Sequence, residues 1–396
     1  MDLPKDLITT LTNDVLPHII DIRHLLHQIP EEGFEEHETV RLVKNELNDI
    51  GVEFKTGFAE TGILAVIHGE LPGGLVAFRT DLDGVRQTEH TSKLHISKNI
   101  GYSHSCGHDG HMANILGTIR VMNQLKKYIS GDILFIFQPG EETGQGATRM
   151  LEANVFADGM PKCAFALHTW PYIDVGDVAS KPGVFTSGNE AFKVTIKGSG
   201  GHGARHYETD NPINCATKII PKLYSLTALE NAEMSVVSIG YVNSGSAPNV
   251  IPEELEFGGT IRTQNKGFKD RIHRDFEAII NDECRLEGVE PEIEYYRYCP
   301  PVVNNKDLYE LFNRVALDIL PEHKVQCLDI HSTGSEDFAF YADTLPIFMF
   351  RIGVGLGNGN LHSCYFDFTD EALYSSIALS TAMLLEAGRD SFQIES

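Results

Sequence analysis

The sequence predicts an α/β protein in which a domain with a central, mostly parallel sheet carries an inserted ferredoxin-like α+β domain. In the first part of the chain, short apolar strands alternate with amphipathic helices, which is typical of a parallel sheet covered by helices. Near residue 187 this pattern changes to strands of strict apolar–polar alternation. A late apolar strand then resumes the first pattern. We therefore expect a discontinuous domain over 1–186 and 300–396, with an insert over 187–299.

The first domain is expected to begin with helices and continue with strands. Residues 1–50 repeat apolar positions at spacings of three and four, which predicts helix, with Pro17 as an expected break or kink. Helices are also expected at 109–128 and near 144–154. Apolar runs predict strands at 63–69, 75–81, 132–139 and 163–168, and the late run "IFMFRIG" at 347–353 is expected to rejoin their sheet.

The insert has the order strand–helix–strand–strand–helix–strand. Its first strand, "AFKVTIKG", places Phe192, Val194 and Ile196 on one side and polar residues on the other. The next helix is expected to be interrupted at Pro221. The predicted elements are the strands 191–198, 235–242, 254–263 and 292–298 and the helices 211–226 and 265–287. This order is the split βαβ, ferredoxin-like arrangement.

Composition and charge exclude several classes of function. The 396 residues are 42% hydrophobic and 22% charged, which is ordinary for a globular protein. The formal net charge of -24 argues against nucleic acid or an anionic membrane as a partner. No apolar run is long enough to span a bilayer, and "MDLPKDLITT" does not resemble a signal peptide. Seven scattered cysteines do not form a disulfide framework. We expect a cytoplasmic protein.

Candidate metal ligands collect near the ends of the predicted strands. The loop "HSCGHDGH" at 104–111 contains three histidines and a cysteine and precedes a predicted helix. Most other candidates come at or shortly after the carboxyl end of an apolar strand, where open α/β sheets place their sites. These candidates are Asp81, Asp83, Glu141, Glu142, His168 and His362. The pattern predicts one site built from distant segments.

The kinds of donor indicate a catalytic rather than a structural metal site. A structural zinc site is usually built on C-x-x-C pairs, and the sequence has none. Thiolate, imidazole and carboxylate donors together suit a centre with open positions, and their number favours two ions about 3.5–4 Å apart. Taken singly, each residue has an ordinary structural explanation. His104 and His111 are assigned no metal, and Asp109 is interpreted as a helix cap or a carboxylate that orients a ligand.

The motif "PGEET" supplies two adjacent carboxylates, Glu141 and Glu142. Consecutive backbone positions do not easily direct both side chains at one ion. One glutamate is therefore expected to bind metal, and the other to act as general base toward water and to pass the proton to the leaving nitrogen. The pattern alone does not say which glutamate has which role.

Nine motifs in order give the chain a resemblance to a known family. The chain resembles the aminoacylase and carboxypeptidase-type metallopeptidases. Within them it is most similar to the amidohydrolase branch of hippurate hydrolases, N-acetyl-amino-acid deacetylases and auxin-conjugate hydrolases. The resemblance runs from about residue 20 to about residue 385 through "RHLLHQIPEEGFEEHET", "FRTDLDG", "HSCGHDGHMA", "FQPGEET", "ALHTWP", "GSGGHGARH", "PNVIPEELEFGGTIRT", "GSEDFAFY" and "LHSCYFDFTDEAL".

The resemblance implies a role for each matching residue. It implies a centre of two divalent ions, Zn²⁺ or Mn²⁺, with Glu141 as general base and Asp83 orienting a ligand. Asp81 stands where other branches have a histidine ligand. The insert implies a homodimer, or a higher oligomer, in which His202 stabilises the oxyanion from the partner subunit, while Asn249 and Arg262 hold the substrate carboxylate. The implied metal ligands are Cys106, His108, Glu142, His168 and His362.

The leading hypothesis is a metal-dependent amidohydrolase that cleaves N-acyl-L-amino acids carrying an acetyl, benzoyl or similar group. A small-peptide exopeptidase with the same centre is the alternative within that chemistry. Two further classes stay open, namely a hydrolase with Cys106 as nucleophile and a catalytically silent metal-binding or assembly protein. Gly140, Arg86 and Cys364 stand where the branch usually has alanine, proline and proline, so substrate identity is left open.

Overall fold

The computed structural model describes residues 3–90, 93–228, 234–328 and 332–394. The chain divides into two compact units. The first comprises Met1–Phe185, Val303–Ile330 and Asp337–Ser396, and the second comprises Thr186–Val302 and His331–Glu336. No helix within the described ranges has both the length and the apolar character needed to cross a membrane.

The described residues form eight α-helices. In chain order they are Lys5–His27 (α1), His37–Ile50 (α2), His108–Gln124 (α3), Gly146–Glu152 (α4), Pro212–Tyr224 (α5), Lys266–Glu287 (α6), Lys306–Ile319 (α7) and Ala372–Ala387 (α8).

The same ranges contain sixteen strands. They are Glu53–Phe58 (β1), Gly62–His68 (β2), Val76–Asp81 (β3), Asp132–Gln138 (β4), Ala164–Trp170 (β5), Val178–Ser180 (β6), Gly183–Val184 (β7), Gly188–Lys197 (β8), Gly201–His202 (β9), Ser235–Ser244 (β10), Val250–Ile251 (β11), Glu254–Thr263 (β12), Glu290–Cys299 (β13), Val303–Asn304 (β14), Val325–Cys327 (β15) and Ile347–Gly353 (β16).

The first unit is built on an eight-stranded sheet with the order β1-β2-β4-β3-β5-β16-β6-β15. Its four central strands, β4, β3, β5 and β16, run parallel to one another. Every residue of β3 and β16 is buried, which explains their continuous apolar character. Because parallel strands end at the same edge, the segments that follow β3, β4, β5 and β16 all begin on one side of the sheet. The predicted mostly parallel sheet is confirmed.

Helices α1, α3 and α8 pack together in the core of the first unit. Nearly all of α3 and all of α8 except Tyr374 are buried, so neither helix presents a broad face to solvent. Their close approach depends on Gly117 in α3, since a Cβ there would lie 2.5 Å from the side chain of Ile377. This packing holds α3, whose first turn carries His108, firmly against the sheet.

Neither of the helices expected to be interrupted at a proline is broken there. Helix α1 continues through Pro17, and α5 continues through Pro221. A proline inside a helix removes one backbone hydrogen bond and costs about 3 kcal/mol. In α1 the buried side chains of Ile8, Ile19 and Leu26 extend on both sides of the proline and offset that cost.

The second unit contains a four-stranded antiparallel sheet with the order β10-β12-β8-β13. Helices α5 and α6 contribute to one core with this sheet, including Phe192, Ile219 and Phe276. The inward positions Phe192, Val194 and Ile196 are buried as their alternation predicts. The ferredoxin-like arrangement is thus confirmed. A separate pair, β9 and β11, places His202 beside Val250.

Candidate metal centre

The loop before α3 turns at Gly107 so that Cys106 and His108 face the same region. Gly107 has a φ of +90°, and a Cβ there would lie 2.6 Å from the Oγ1 atom of Thr169. Both the left-handed conformation and this close approach require glycine. Cys106 and His108 are buried on either side of it.

The Cys106 thiol lies between two histidines from distant parts of the chain. Its Sγ atom is 3.5 Å from Nε2 of His168 and 3.3 Å from Nε2 of His362. His168 is in β5, which ends at the sheet edge, whereas His362 follows β16 by nine residues. The predicted convergence of these three donors is therefore present in the first unit.

A backbone contact brings His362 to the cysteine loop. The His362 amide donates to the carbonyl oxygen of Ser105 over 2.8 Å, and its own carbonyl accepts from the Gln87 side chain over 3.0 Å. His362 has a φ of +59°, which is unusual for a residue with a side chain. Such strained backbone is found most often at functional sites, where surrounding contacts maintain it.

His108 and Glu142 complete the cluster. Ligand atoms of Cys106, His108 and Glu142 lie within 4.8 Å of one another. Nδ1 of His108 donates to the carbonyl oxygen of Asp83 over 2.8 Å, so in the neutral ring Nε2 carries the lone pair. Within the described residues this buried Nε2 atom has no hydrogen-bond partner. Oε1 of Glu142 lies 3.2 Å from Nε2 of His362.

Asp83 fixes the turn that presents both glutamates. Its Oδ1 accepts from the Glu141 amide over 3.1 Å, and its Oδ2 accepts from the Glu142 amide over 3.0 Å. The turn begins at Gly140, whose φ of +65° suits glycine. Oε2 of Glu141 lies 3.9 Å from Nε2 of His108, so the second carboxylate borders the donor cluster.

The electrostatics of the cluster favour a bound cation. Burial raises the pKa of the Cys106 thiol well above its ordinary value, and the carboxylates of Glu142 and Glu141 add to this effect. Burial also lowers the pKa of His168 to about 3, which keeps its ring neutral. A neutral imidazole is the form that binds metals, and a thiolate here needs a compensating positive charge.

These observations fit divalent metal ions. Nδ1 of His168 donates to the carbonyl oxygen of Thr169 over 2.7 Å, which leaves its Nε2 lone pair directed at Cys106. Hydrogen bonds of this kind orient histidine ligands in metal proteins. The cluster buries Nε2 of His108, which has no hydrogen-bond partner among the described residues, together with the Cys106 thiol and the Glu142 carboxylate. Burying these polar groups side by side is unfavourable unless a cation binds them.

A buried layer behind the cluster was not recognised in the sequence. His111 donates from Nδ1 to Asp81 over 2.8 Å, and its Nε2 accepts from the Thr169 amide over 2.9 Å. Both ring nitrogens are therefore used, in agreement with leaving His111 out of the ligand set. Asp81 also accepts from Arg79, which pairs with Asp337. The charged Arg79 within the apolar run "LVAFRTD" was the available signal.

A second buried layer joins α1 to the start of α3. His27 contacts Oδ2 of Asp109 through Nδ1 over 2.8 Å and Oε1 of Glu89 through Nε2 over 3.1 Å. Arg23 pairs with Asp109 and with Asp367. Asp109 thus lies in a charge network beside His108 and does not act as a side-chain cap of α3.

The remaining predicted residues are in the second unit. His202 is exposed, and its Nδ1 accepts from the amide of Ala204 over 3.1 Å, so a neutral ring carries its proton on Nε2. Asn249 is adjacent, since its carbonyl oxygen accepts from the Gly203 amide over 2.9 Å. Arg262, in β12, donates to the carbonyl oxygen of Thr333 over 3.1 Å, and burial lowers the pKa of its guanidinium.

Comparison with known proteins agrees with this geometry. An Arabidopsis thaliana protein named IAA-amino acid hydrolase ILR1-like 2 is 33% identical over 390 residues, 94% of this chain and 86% of its own length. The N-acetylcysteine deacetylase of Bacillus subtilis (strain 168) is 32% identical over 360 residues, 90% of this chain and 93% of its own.

Solved structures and family models give the same result. A Bacillus subtilis crystal structure described as a dinuclear metal binding peptidase from M20 family has a TM-score of 0.83 and 29% identity, covering 94% of this chain and 98% of that one. The sequence model of Peptidase family M20/M25/M40 matches residues 77–386. The chain therefore belongs to peptidase family M20/M25/M40, as its motifs indicated.

Proposed function

We propose that this protein is a metal-dependent amidohydrolase that cleaves N-acyl-L-amino acids into a carboxylate and a free amino acid. The main support for this proposal is the cluster of Cys106, His108, Glu142, His168 and His362, with a second carboxylate, Glu141, at its border. Relatives named for hydrolysis of an amino-acid conjugate and for deacetylation of N-acetylcysteine support the substrate class.

The five clustered residues would hold two divalent ions. Zinc suits the thiolate and manganese suits the carboxylate, so the proposal includes both metals. When bound, such ions act as Lewis acids that polarise a carbonyl group and lower the pKa of water. Asp83 would keep Glu142 and His108 oriented, since it contacts the backbone or ring of each.

Glu141 is proposed as the general base and Glu142 as the ligand. Glu142 lies close to both Cys106 and His362, whereas Glu141 borders the cluster beside His108. The Glu141 carboxylate would accept a proton from the attacking water and deliver it to the amide nitrogen as the C–N bond breaks. A positioned base of this kind contributes about 10²–10⁴-fold to the rate.

The second unit would supply substrate contacts. Asn249 and Arg262 are proposed to hold the α-carboxylate, because a protein of net charge -24 needs a local cation for an anionic substrate. His202 of the partner subunit is proposed to donate from Nε2 to the carbonyl oxygen of the amide as negative charge develops there. This role implies a homodimer, or a higher oligomer, formed through the insert at 187–299.

Two further proposals concern the whole chain. We place the hydrolytic domain at 1–186 and 300–396. We also propose a cytoplasmic location, supported by the scattered cysteines, of which Cys106, Cys163, Cys215, Cys284 and Cys299 are buried.

A substrate panel combined with metal removal tests the proposed function. We expect N-acetyl- and N-benzoyl-L-amino acids to be hydrolysed faster than dipeptides, measured as kcat/KM. Chelation should abolish turnover, and added Zn²⁺ or Mn²⁺ should restore it. Faster turnover of dipeptides would favour an exopeptidase. Activity that survives chelation but is lost on thiol alkylation would instead identify Cys106 as a nucleophile.

A further inference from the structure

Arg351 is a charged residue inside an otherwise apolar, fully buried strand. It occupies the fifth position of "IFMFRIG" in β16, and only 4% of its surface is exposed. Burying an arginine side chain is unfavourable unless its five N–H donors find acceptors. The strand therefore contains a cation that needs an explanation.

Among the described residues, Arg351 has no carboxylate partner and no side-chain hydrogen bond. Its guanidinium lies 3.6 Å from the centre of the Trp170 ring and 4.8 Å from that of Phe185. Burial lowers the pKa of the group to about 10. The buried arginines Arg23 and Arg79 differ, because each has two or more carboxylate partners.

The strand register places Arg351 beside the metal cluster. Arg351 pairs with His168 in the parallel strands β16 and β5. Residues paired in this way lie about 4.8 Å apart and project from the same face of the sheet. The guanidinium extends toward Trp170, the last residue of β5, and so toward the sheet edge that carries the donor cluster.

The aromatic contacts leave one part of the guanidinium available. The Trp170 and Phe185 rings lie close to the guanidinium carbon. A guanidinium that packs on aromatic rings keeps its N–H donors along its edge, in the plane of the group. A carboxylate fits this edge through two parallel hydrogen bonds. A ligand that supplies a carboxylate would satisfy the donors that the protein leaves unpaired.

We propose that Arg351 forms a subsite for a second carboxylate of the substrate, in addition to the α-carboxylate. This inference rests on the proposed function and specifies its substrate class as dicarboxylic N-acyl amino acids. The second carboxylate would come either from the amino-acid side chain, as in N-acetyl-L-glutamate, or from the acyl group, as in N-succinyl-L-alanine.

Matched substrate pairs test the subsite in the wild-type protein. N-acetyl-L-glutamate is compared with N-acetyl-L-glutamine, and N-succinyl-L-alanine with N-succinamoyl-L-alanine. In each pair a carboxylate is replaced by an amide of the same size. We expect kcat/KM to favour the dicarboxylic member about tenfold or more in one pair, and that pair identifies the source of the carboxylate. Equal rates within both pairs would overturn the proposal.

Variants separate charge recognition from packing. Arg351→Met should reduce the preference ratio to near one, and Arg351→Lys should retain part of it. Arg41→Met removes the same charge from an exposed position in α2 and should leave the ratio unchanged. A preference that survives in Arg351→Met, or an equal loss for both members of the pair, would contradict the subsite.

A binding measurement makes the test independent of turnover. We expect calorimetry to show that wild-type protein binds succinate or glutarate at least about tenfold more tightly than succinamate or glutaramate, with the difference lost in Arg351→Met of equal metal content. Failure of every N-acyl amino acid to react would refute the proposed function but not this subsite. Equal affinity for the diacid and its amide would refute the subsite alone.

Discussion

Asp83 illustrates how one buried carboxylate positions several reactive groups. Its two oxygens hold the amides of Glu141 and Glu142, and its carbonyl oxygen orients the ring of His108. Adjacent glutamates are thereby fixed with one inside the donor cluster and one at its border. The proposed roles, Glu142 as ligand and Glu141 as base, rest on this turn, because the backbone directs consecutive side chains differently.

The two glutamates should respond differently to the same substitution. We expect Glu141→Gln to lower kcat by about 10²–10⁴-fold while the protein keeps its metal, because the amide cannot accept a proton. Glu142→Gln should lose metal as well as activity. Steady-state kinetics and elemental analysis on the same preparations measure both effects. Near-normal turnover by Glu141→Gln would show that the base has been misassigned.

Residue chemistry was the most predictable part of the site. Cysteine, histidine and carboxylate side chains are typical metal ligands, so their residue types alone pointed to a metal site. The structure places five of them close together, namely Cys106, His108, Glu142, His168 and His362. The position of Arg351 and the contacts that join Arg79, Asp81 and His111 were not predicted, because the partners of a buried charge depend on packing. The sequence listed Asp81 only as a candidate metal ligand. A charged residue within an apolar strand sequence indicates a buried charge, but the sequence does not show which residue it contacts.

Among the secondary-structure elements, the parallel strands explain why candidate ligands far apart in the sequence lie close together in the fold. The segments after β3, β4 and β5 begin at one sheet edge, and β16, which starts at Ile347, joins the sheet long after β5 ends at Trp170. Helix interruptions were predicted less well, since tertiary packing outweighed the local effects of Pro17 and Pro221. A proline inside a helix costs free energy, and the burial of apolar side chains of α1 and α5 offsets this cost.

The network around His27 ties α1 to the start of α3 and should make stability depend on pH. Burial disfavours the charged ring, but Asp109, Glu89 and Asp367 outweigh burial and raise the pKa of His27 to about 10. Arg23 forms ion pairs with two of these carboxylates, Asp109 and Asp367. Because the folded pKa exceeds the unfolded value of about 6.5, this stabilisation is complete below about pH 6.5 and is lost as pH rises toward 10.

Substituting His27 tests this linkage. At pH 6.5 His27→Gln should unfold more easily than wild type, and the difference in free energy of unfolding should shrink by up to about 1.4 kcal/mol per pH unit toward pH 10. Denaturant titrations at matched metal concentration give the difference, in which effects common to both proteins cancel. A difference that stays constant between pH 7 and pH 10 would contradict a charged His27.

At the scale of the whole molecule, strong negative charge is combined with a few cations kept inside the fold. The net charge is -24, yet Arg23, Arg79 and Arg351 are buried in the first unit and Arg262 is partly buried in the second. The net negative charge discourages binding to polyanions. Arg23 and Arg79 are paired with carboxylates of the protein itself, so only Arg351 and Arg262 are proposed to meet anionic ligands. The composition gave the net charge of the chain, but it could not predict which arginine side chains are buried.

Subunit mixing tests whether His202 acts across a dimer. Glu141→Gln and His202→Ala should each be nearly inactive alone. If the base and His202 of one site come from different subunits, a mixed dimer regains one complete site, and an equal mixture should recover about a quarter of wild-type activity. Rates are measured after subunit exchange. Activity no greater than the sum of the separate variants would contradict a shared site.

We propose that donor side chains from distant segments of the chain converge on two bound cations. Anomalous diffraction from crystals grown with Zn²⁺ or Mn²⁺, recorded at the absorption edge of the metal, tests it most directly. We expect two peaks about 3.5–4 Å apart, surrounded by Cys106, His108, Glu142, His168 and His362. The absence of any peak within coordinating distance of the Cys106 sulfur, in crystals of active protein, would contradict a metal centre at these residues.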